Sequence, residues 1–218
     1  VINLCLIYAI IGLSMNLTNG FAGQFSLGQA GFMAVGAYVV GVFTVPVDLR
    51  PNVFYAVPMN PMIADIQLPL WLALLFGGLL AALIAFLIGW PVLRLRGDYL
   101  AIATLGFSEI IRILITNAQS WTNGALGIKD IPALNDVRYI FIATAITFLF
   151  VTCLINSSYG RAFKAIREDE IAAEAMGVGL FKHKCMAFML SAFFAGIGGG
   201  LYATLLGTVD PKNFLFTL

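Results

Sequence analysis

The chain has 218 residues, 61% of them hydrophobic and 11% charged, with a net charge of +1 and a mean hydropathy of +0.95. No soluble domain hides that much apolar side chain, so the class is an all-α polytopic membrane protein in contact with lipid. The near-zero charge gives no basis for a nucleic-acid partner. Cys5, Cys153 and Cys185 lie in or beside apolar segments, which reads as small packing residues and not as a disulfide framework.

Val1–Met15 is a first, short span, with the turn formers Asn16 to Gly20 breaking it. No basic stretch precedes it, so it does not read as a signal peptide. Gly20–Val45 is a second apolar stretch rich in glycine. Ser26, Ala30 and Ala34 form a stripe of small residues, and Gln24 and Gln29 are polar. Amides and glycines at this depth admit two readings: a broken helix lining a path through the protein, or tight helix packing with glutamine at the interface. Five prolines, Pro46, Pro51, Pro58, Pro61 and Pro69, forbid a long helix in the linker that follows.

Leu70–Leu93 is the third span, with Gly77, Ala81, Ala85 and Gly89 as a packing ladder. After the short basic turn Arg94–Asp98 comes a fourth stretch, Tyr99–Thr116, which carries Glu109 and Arg112. On a continuous helix Glu109 falls ~16 Å beyond Asp98, near mid-membrane. Charges at that depth are costly unless paired, and a spacing of three places these two side by side. The pair reads either as a self-satisfied packing element or as part of a transport path. Asn117–Arg138 is a second linker, Tyr139–Ile155 the fifth span and Cys185–Leu206 the sixth. Two small-residue ladders mark the sixth, Ala192–Gly196–Gly200 and Ser191–Ala195–Gly199–Ala203.

Between the last two spans lies the one long polar stretch, 157–184, with Arg161, Lys164, Arg167, Lys182 and Lys184. With Arg94 and Arg96 on the same side, seven basic residues face four on the other (Arg50, Lys129, Arg138 and Lys212), so this loop is cytoplasmic. Its alanines predict a helix over about Glu168 to Met176, and Gly177 is placed to end it. Such a half-apolar helix either lies on its own bundle or lipid, or docks on a soluble partner.

The segment Ile171 to Gly177, IAAEAMG, resembles the EAA loop of ABC importer permeases at Ala172, Ala173 and Gly177. The acidic residue is displaced: Glu170 stands one position early, where Ile171 fills the expected place. Three further stretches, Gly23–Tyr38, Gly97–Arg112 and Ala187–Ala203, are similar to permeases for branched-chain amino acids, the middle one to the LivM type in particular. Members of that family continue with further spans, so the chain reads as part of a longer permease. The resemblance implies one permease domain over 1–218 in a prokaryotic inner membrane, with 157–184 as its cytoplasmic coupling loop. Implied partners are a LivH-type permease subunit, two cytoplasmic ATPases and an extracytoplasmic binding protein. It also implies an ATPase contact through Glu170, Ala172, Ala173, Glu174, Met176 and Gly177. The path would be lined by Gln24, Ser26, Gln29, Glu109 and Arg112.

No Gly-x-x-x-x-Gly-Lys-Ser/Thr occurs, so ATP and its magnesium belong to the partner ATPases. His183 is the only histidine, and no residues have metal-ligand spacing. Two other functions stay open: a permease of the same kind for urea or other small amides, and an ion-coupled carrier using Glu109. A membrane anchor without transport is disfavoured by the broken, glycine-rich second stretch.

Overall fold

The computed structural model describes residues 1–55, 59–95, 97–134 and 136–214, without the side chains of 62, 64 and 98. Pro58, Arg96 and the Asp98 side chain therefore lie outside the described residues. In chain order the α-helices are α1 (Ile2–Met15), α2 (Gln29–Thr44), α3 (Arg50–Val53), α4 (Pro61–Ala64), α5 (Leu70–Val92) and α6 (Asp98–Asn117). They continue with α7 (Gln119–Thr122), α8 (Val137–Asn156), α9 (Ser158–Glu168), α10 (Glu170–Ala175) and α11 (Leu180–Leu206).

Among the described residues five helices are long and apolar enough to cross a membrane: Ile2–Phe21, Leu70–Val92, Tyr99–Asn117, Val137–Asn156 and Leu180–Leu206. A sixth crossing results if α2 and Val47–Val53, bent by 97° from it, form one span. The all-α polytopic class expected from composition is what the chain adopts.

The middle of the bundle is α11, which packs on α1, α2 and α5. Both of its small-residue ladders are buried, as is the ladder Gly77–Ala81–Ala85–Gly89 of α5. Lipid offers no hydrophobic drive between helices, so close approach and packing must hold them together, and small residues permit it. Around this centre α5 and α8 turn large apolar side chains outward, Leu75, Leu79 and Leu83 on one, Ile142, Ile146 and Leu149 on the other.

In the spans and their cysteines the chain differs from its sequence-based expectation in three places. Asn16 to Gly20 do not break the first helix. α1 runs on as a π-helix, Asn16–Phe21, because Thr18 Oγ1 bonds back to the Met15 carbonyl and Asn19 finds a partner in the following segment. The last helix starts at Leu180 and takes in Lys182, His183 and Lys184, which pattern alone assigned to the loop. Cys5 and Cys153 are exposed, and only Cys185 fills the packing role expected of all three.

The two ends of the bundle are tied differently. At one end Arg50, 4% exposed, donates to the carbonyls of Val45, Ile63, Ile66 and Val42 at 2.7–3.5 Å. This gathers the proline-rich linker over the end of α2. Asn123 binds the Val53 and Gly127 carbonyls there, and Ile128 pairs with Val209 in an antiparallel bridge. At the other end lie the π-helix, α9 and α10.

Candidate functional site

Three groups of residues carry chemistry. The first is the break between the π-helix and α2. Past Ala22 the chain leaves the helix; Gln24 and Ser26 turn inward, 2% and 1% exposed, while Phe25 turns out at 53%. Asn19 holds this segment as a neighbouring strand would: Ser26 N–H donates to Asn19 Oδ1 at 3.1 Å, and Asn19 Nδ2 donates back to Ser26 O at 3.5 Å. Thr104 Oγ1 of α6 accepts from Leu27 N–H at 3.1 Å. Gln29 Nε2 donates to Ser191 Oγ, which donates to the Ser14 carbonyl at 2.6 Å. The three inward residues are therefore enclosed. Gln24's amide oxygen and nitrogen and Gln29 Oε1 are buried without a hydrogen-bond partner among the described residues, a costly arrangement that structures rarely retain. Asn19 was read only as a turn former and Ser191 only as a packing residue, and Thr104 was not singled out; each polar side chain in an apolar stretch was the available signal.

The second group is on α6. Arg112 and Glu109 form the expected pair: Nε donates to both carboxylate oxygens at 3.0 and 2.9 Å, and Nη2 also bonds Oε1. The pair sits apart from the first group, and its side chains are 25% and 46% exposed. Two apolar grooves of the bundle do not include it. The larger, about 660 Å³ between α2, α5 and α6, is lined almost wholly by apolar groups such as Val39, Phe76, Leu80 and Phe107. A groove of that kind lacks the polar contacts an amino-acid zwitterion needs.

The third group is the elbow of α9 and α10. The helix expected from about Glu168 starts at Glu170, because Asp169, at φ −156° and ψ 115°, sets it off from α9. Its carboxylate caps the new helix, accepting from Ile171 N–H at 2.8 Å and Ala172 N–H at 3.1 Å. The break resets which face of α10 points where. Ala173, expected to face a partner, is 4% exposed and turned into its own chain. Ala172 and Glu174 are exposed, and the outermost apolar groups are Ile171 at 73% and Met176 at 85%. Glu170 is a tie to the bundle, held 2.5 Å from Lys184 Nζ. Gly177, at φ +84°, ends the helix as expected: Val178 N–H reaches the Ala173 carbonyl and Gly177 N–H that of Glu174. Beneath the elbow Phe163 and Ile166 are buried on their own bundle, each contributing roughly 1.5–3 kcal/mol. Arg167 links α9 to the first group by donating to the Gly20 carbonyl at 3.1 Å.

A family model described as "Branched-chain amino acid transport system / permease component" matches residues 1–218. The chain belongs to this family. It is 36% identical to the high-affinity branched-chain amino acid transport system permease protein LivM of Escherichia coli (strain K12), over 98% of this chain and 54% of that protein. A probable LivM from Methanocaldococcus jannaschii is 29% identical over 95% of this chain and 67% of its own length. The guanosine ABC transporter permease protein NupQ of Bacillus subtilis (strain 168) is 25% identical, over 89% and 65%. The chain thus spans about half the length of the first of these relatives. No solved structure matches it significantly. Membership bears out the LivM-type resemblance, and the relatives are transporter permeases by name.

In this permease chain the Glu109–Arg112 pair admits a direct test. Glu109→Gln leaves a guanidinium without its counter-charge in mid-helix and is expected to cost about 1–3 kcal/mol, the half-exposed carboxylate keeping the loss moderate. Glu109→Leu/Arg112→Leu together should cost less. Thermal unfolding in detergent checks this, and a double variant less stable than the single one would deny pairing as the main role.

Proposed function

We propose that this chain is a permease subunit of an ATP-driven importer for branched-chain amino acids in a prokaryotic inner membrane. On this reading it forms the path with a homologous LivH-type permease subunit. Two cytoplasmic ATPases drive it, and an extracytoplasmic binding protein delivers cargo. The observation that carries the reading is the α9–α10 elbow. Ile171 and Met176 are large apolar groups held out from the end of the bundle by an Asp169 cap, a Glu170–Lys184 ion pair and a Gly177 stop. A rigidly presented pair of this kind suits insertion into a groove on a soluble protein. Orientation follows from the basic residues, which gather at this end.

The ATPase contact then runs through Ile171, Ala172, Glu174 and Met176, with Ala173, Glu170 and Gly177 holding the shape. On the path side, Glu109 and Arg112 are the ionised groups this chain offers. Gln24, Ser26 and Gln29 form a closed section, whose partnerless amides become available to cargo when the Ala22–Gly28 segment moves. Arg167, bonded to Gly20, links that segment to the elbow. Leucine, isoleucine and valine are favoured over other cargo by the 36% identity to LivM. A nucleoside is the second reading, favoured by the guanosine permease relative.

Uptake of labelled leucine by cells expressing the whole transporter tests both parts. Competition by valine and isoleucine but not by urea or guanosine is the expected result, as is loss of uptake on a Walker mutation in the ATPase. Uptake indifferent to that mutation would refute an ATP-driven importer. For the elbow, Gly177→Val forces a β-branched residue to positive φ at about 1–2 kcal/mol and should lower coupled uptake at least tenfold while the chain still inserts. Gly177→Asn should keep most of it. Cysteine at Met176 should crosslink to the ATPase; if neither Met176 nor Ala172 ever does, another surface is the dock.

A further inference from the structure

We propose that the side-chain amide of Gln24 is the group that holds the cargo in this chain, pairing with the ammonium and carboxylate of an α-amino acid and not with its side chain. The proposal rests on the importer reading above and adds which atoms take the cargo. Gln24 is fixed by its backbone, whose N–H donates to the Thr18 carbonyl at 3.0 Å. Ser26 is fixed by Asn19, which bonds its N–H and its carbonyl. The Gln24 side chain has no such use. It is buried, and neither Oε1 nor Nε2 has a hydrogen-bond partner among the described residues. Gln29 is the contrast: its Nε2 is engaged with Ser191, and only its Oε1 is left over.

Enclosure decides where a partner can come from. The Gln24 amide is covered within this chain, so protein packed on the outside of the bundle does not reach it. A partner enters while the Ala22–Gly28 segment is displaced. The attachments of that segment suit such a motion. Asn19 and Thr104 hold it by side-chain bonds of 3.1–3.5 Å, and Gly23 turns at φ +65°, which residues with a β-carbon rarely adopt. An amide buried without partners raises the energy of the closed arrangement. A ligand that satisfies it only in the open one therefore shifts the balance toward opening. Chemistry then selects the ligand. A carboxamide presents a donor beside an acceptor, so its complement presents an acceptor beside a donor. An α-amino acid does this with the carboxylate and ammonium on one carbon, and Gln29 Oε1 is a second free acceptor at the end of the same segment. The buried polar side chains here, Thr18, Gln24, Ser26, Gln29, Thr104 and Ser191, are neutral. Arg167 stays at the rim, 43% exposed and paired with Glu168. A neutral lining suits a cargo without net charge and opposes a bare ammonium or carboxylate.

The experiment unfolds the whole transporter thermally in detergent, with its full-length permease, in the presence and absence of excess leucine. Gln24→Met keeps the length of the side chain and removes both hydrogen-bonding groups. It should raise the unfolding temperature by ~2–4 °C, because a polar group without partners leaves the interior. Leucine should raise that temperature by ~2 °C or more in the wild type and not at all in Gln24→Met. Leucine uptake by Gln24→Met should fall at least about tenfold. Isoamylamine, which lacks the carboxylate, and isocaproate, which lacks the ammonium, should leave the wild-type temperature unchanged. A lower unfolding temperature in Gln24→Met would mean a structural amide and overturn the proposal. So would unchanged uptake or an unchanged leucine response in that variant. A wild-type response to isoamylamine, isocaproate or guanosine equal to that to leucine overturns it too, and these arms hold even where Gln24→Met fails to assemble. Uptake that needs no ATP yet is lost in Gln24→Met would sink the importer reading alone.

Discussion

Gly36→Ala and Gly199→Ala are each expected to prevent stable assembly of the bundle. A β-carbon on Gly36 would stand 1.9 Å from the Gly196 carbonyl oxygen, and one on Gly199 would stand 2.0 Å from the Met33 carbonyl oxygen. The obstructing atoms are backbone, so no rotamer change relieves the clash. α2 and α11 would have to part, and α5, which packs on both, would lose its seat. The cost should be on the order of 3 kcal/mol or more for each, at the upper end of overpacking effects. Gly12→Ala is the control: it meets nothing within 4 Å and should be neutral or slightly stabilising, since alanine is the better helix former. Detergent-solubilised yield and thermal unfolding measure the difference. If Gly36→Ala unfolds at the wild-type temperature, the close crossing of α2 and α11 is not as described.

The second large effect is expected at Arg50. Its guanidinium is shared among the Val42, Val45, Ile63 and Ile66 carbonyls, so one side chain closes the linker over the end of α2. Arg50→Met removes those donors and leaves buried carbonyl oxygens unsatisfied, at roughly 3–5 kcal/mol. Arg50→Lys should recover little, because an ammonium is a point donor and cannot span carbonyls placed around a planar fork. Amide exchange at Ile66 and Leu68, whose N–H groups bond to Ile63 and Phe43, reads the result. Exchange at least about tenfold faster in Arg50→Met, equal to ~1.4 kcal/mol or more of local stability, is expected. Unchanged exchange would mean that the prolines alone hold the linker.

How much of this was legible beforehand depends on the range of the interaction concerned. Membrane spans follow from runs of apolar side chains, a local property, and so do the small-residue ladders of α5 and α11. The Glu109–Arg112 pair was legible because residues three apart on a helix are neighbours whatever the rest of the fold does. The stop at Gly177 was legible because only a left-handed residue completes that cap. Each of these is settled within a single helix or at its end.

What the tertiary structure alone decided involves partners far apart in sequence or the direction of an element in space. Asn16 to Gly20 carry turn-forming residues, yet the helix continues through them because Asn19 is satisfied by Ser26 across a reversal of the chain. Arg50 reads as one more basic residue until four carbonyls converge on it. Ala172 and Ala173 are equivalent to any composition rule. Asp169's break turns one outward and the other into the bundle, because a cap restarts the helical register. Gln24 and Gln29 were expected to face protein and do so, but which helices enclose them was not legible, since that is set by α11 and α6 closing over them. The face of α6 is the clearest case. Hydropathy marks it as a span like the others, and only the packed bundle leaves Glu109 and Arg112 part-exposed in mid-helix, because exposure is a property of neighbours and not of the helix itself.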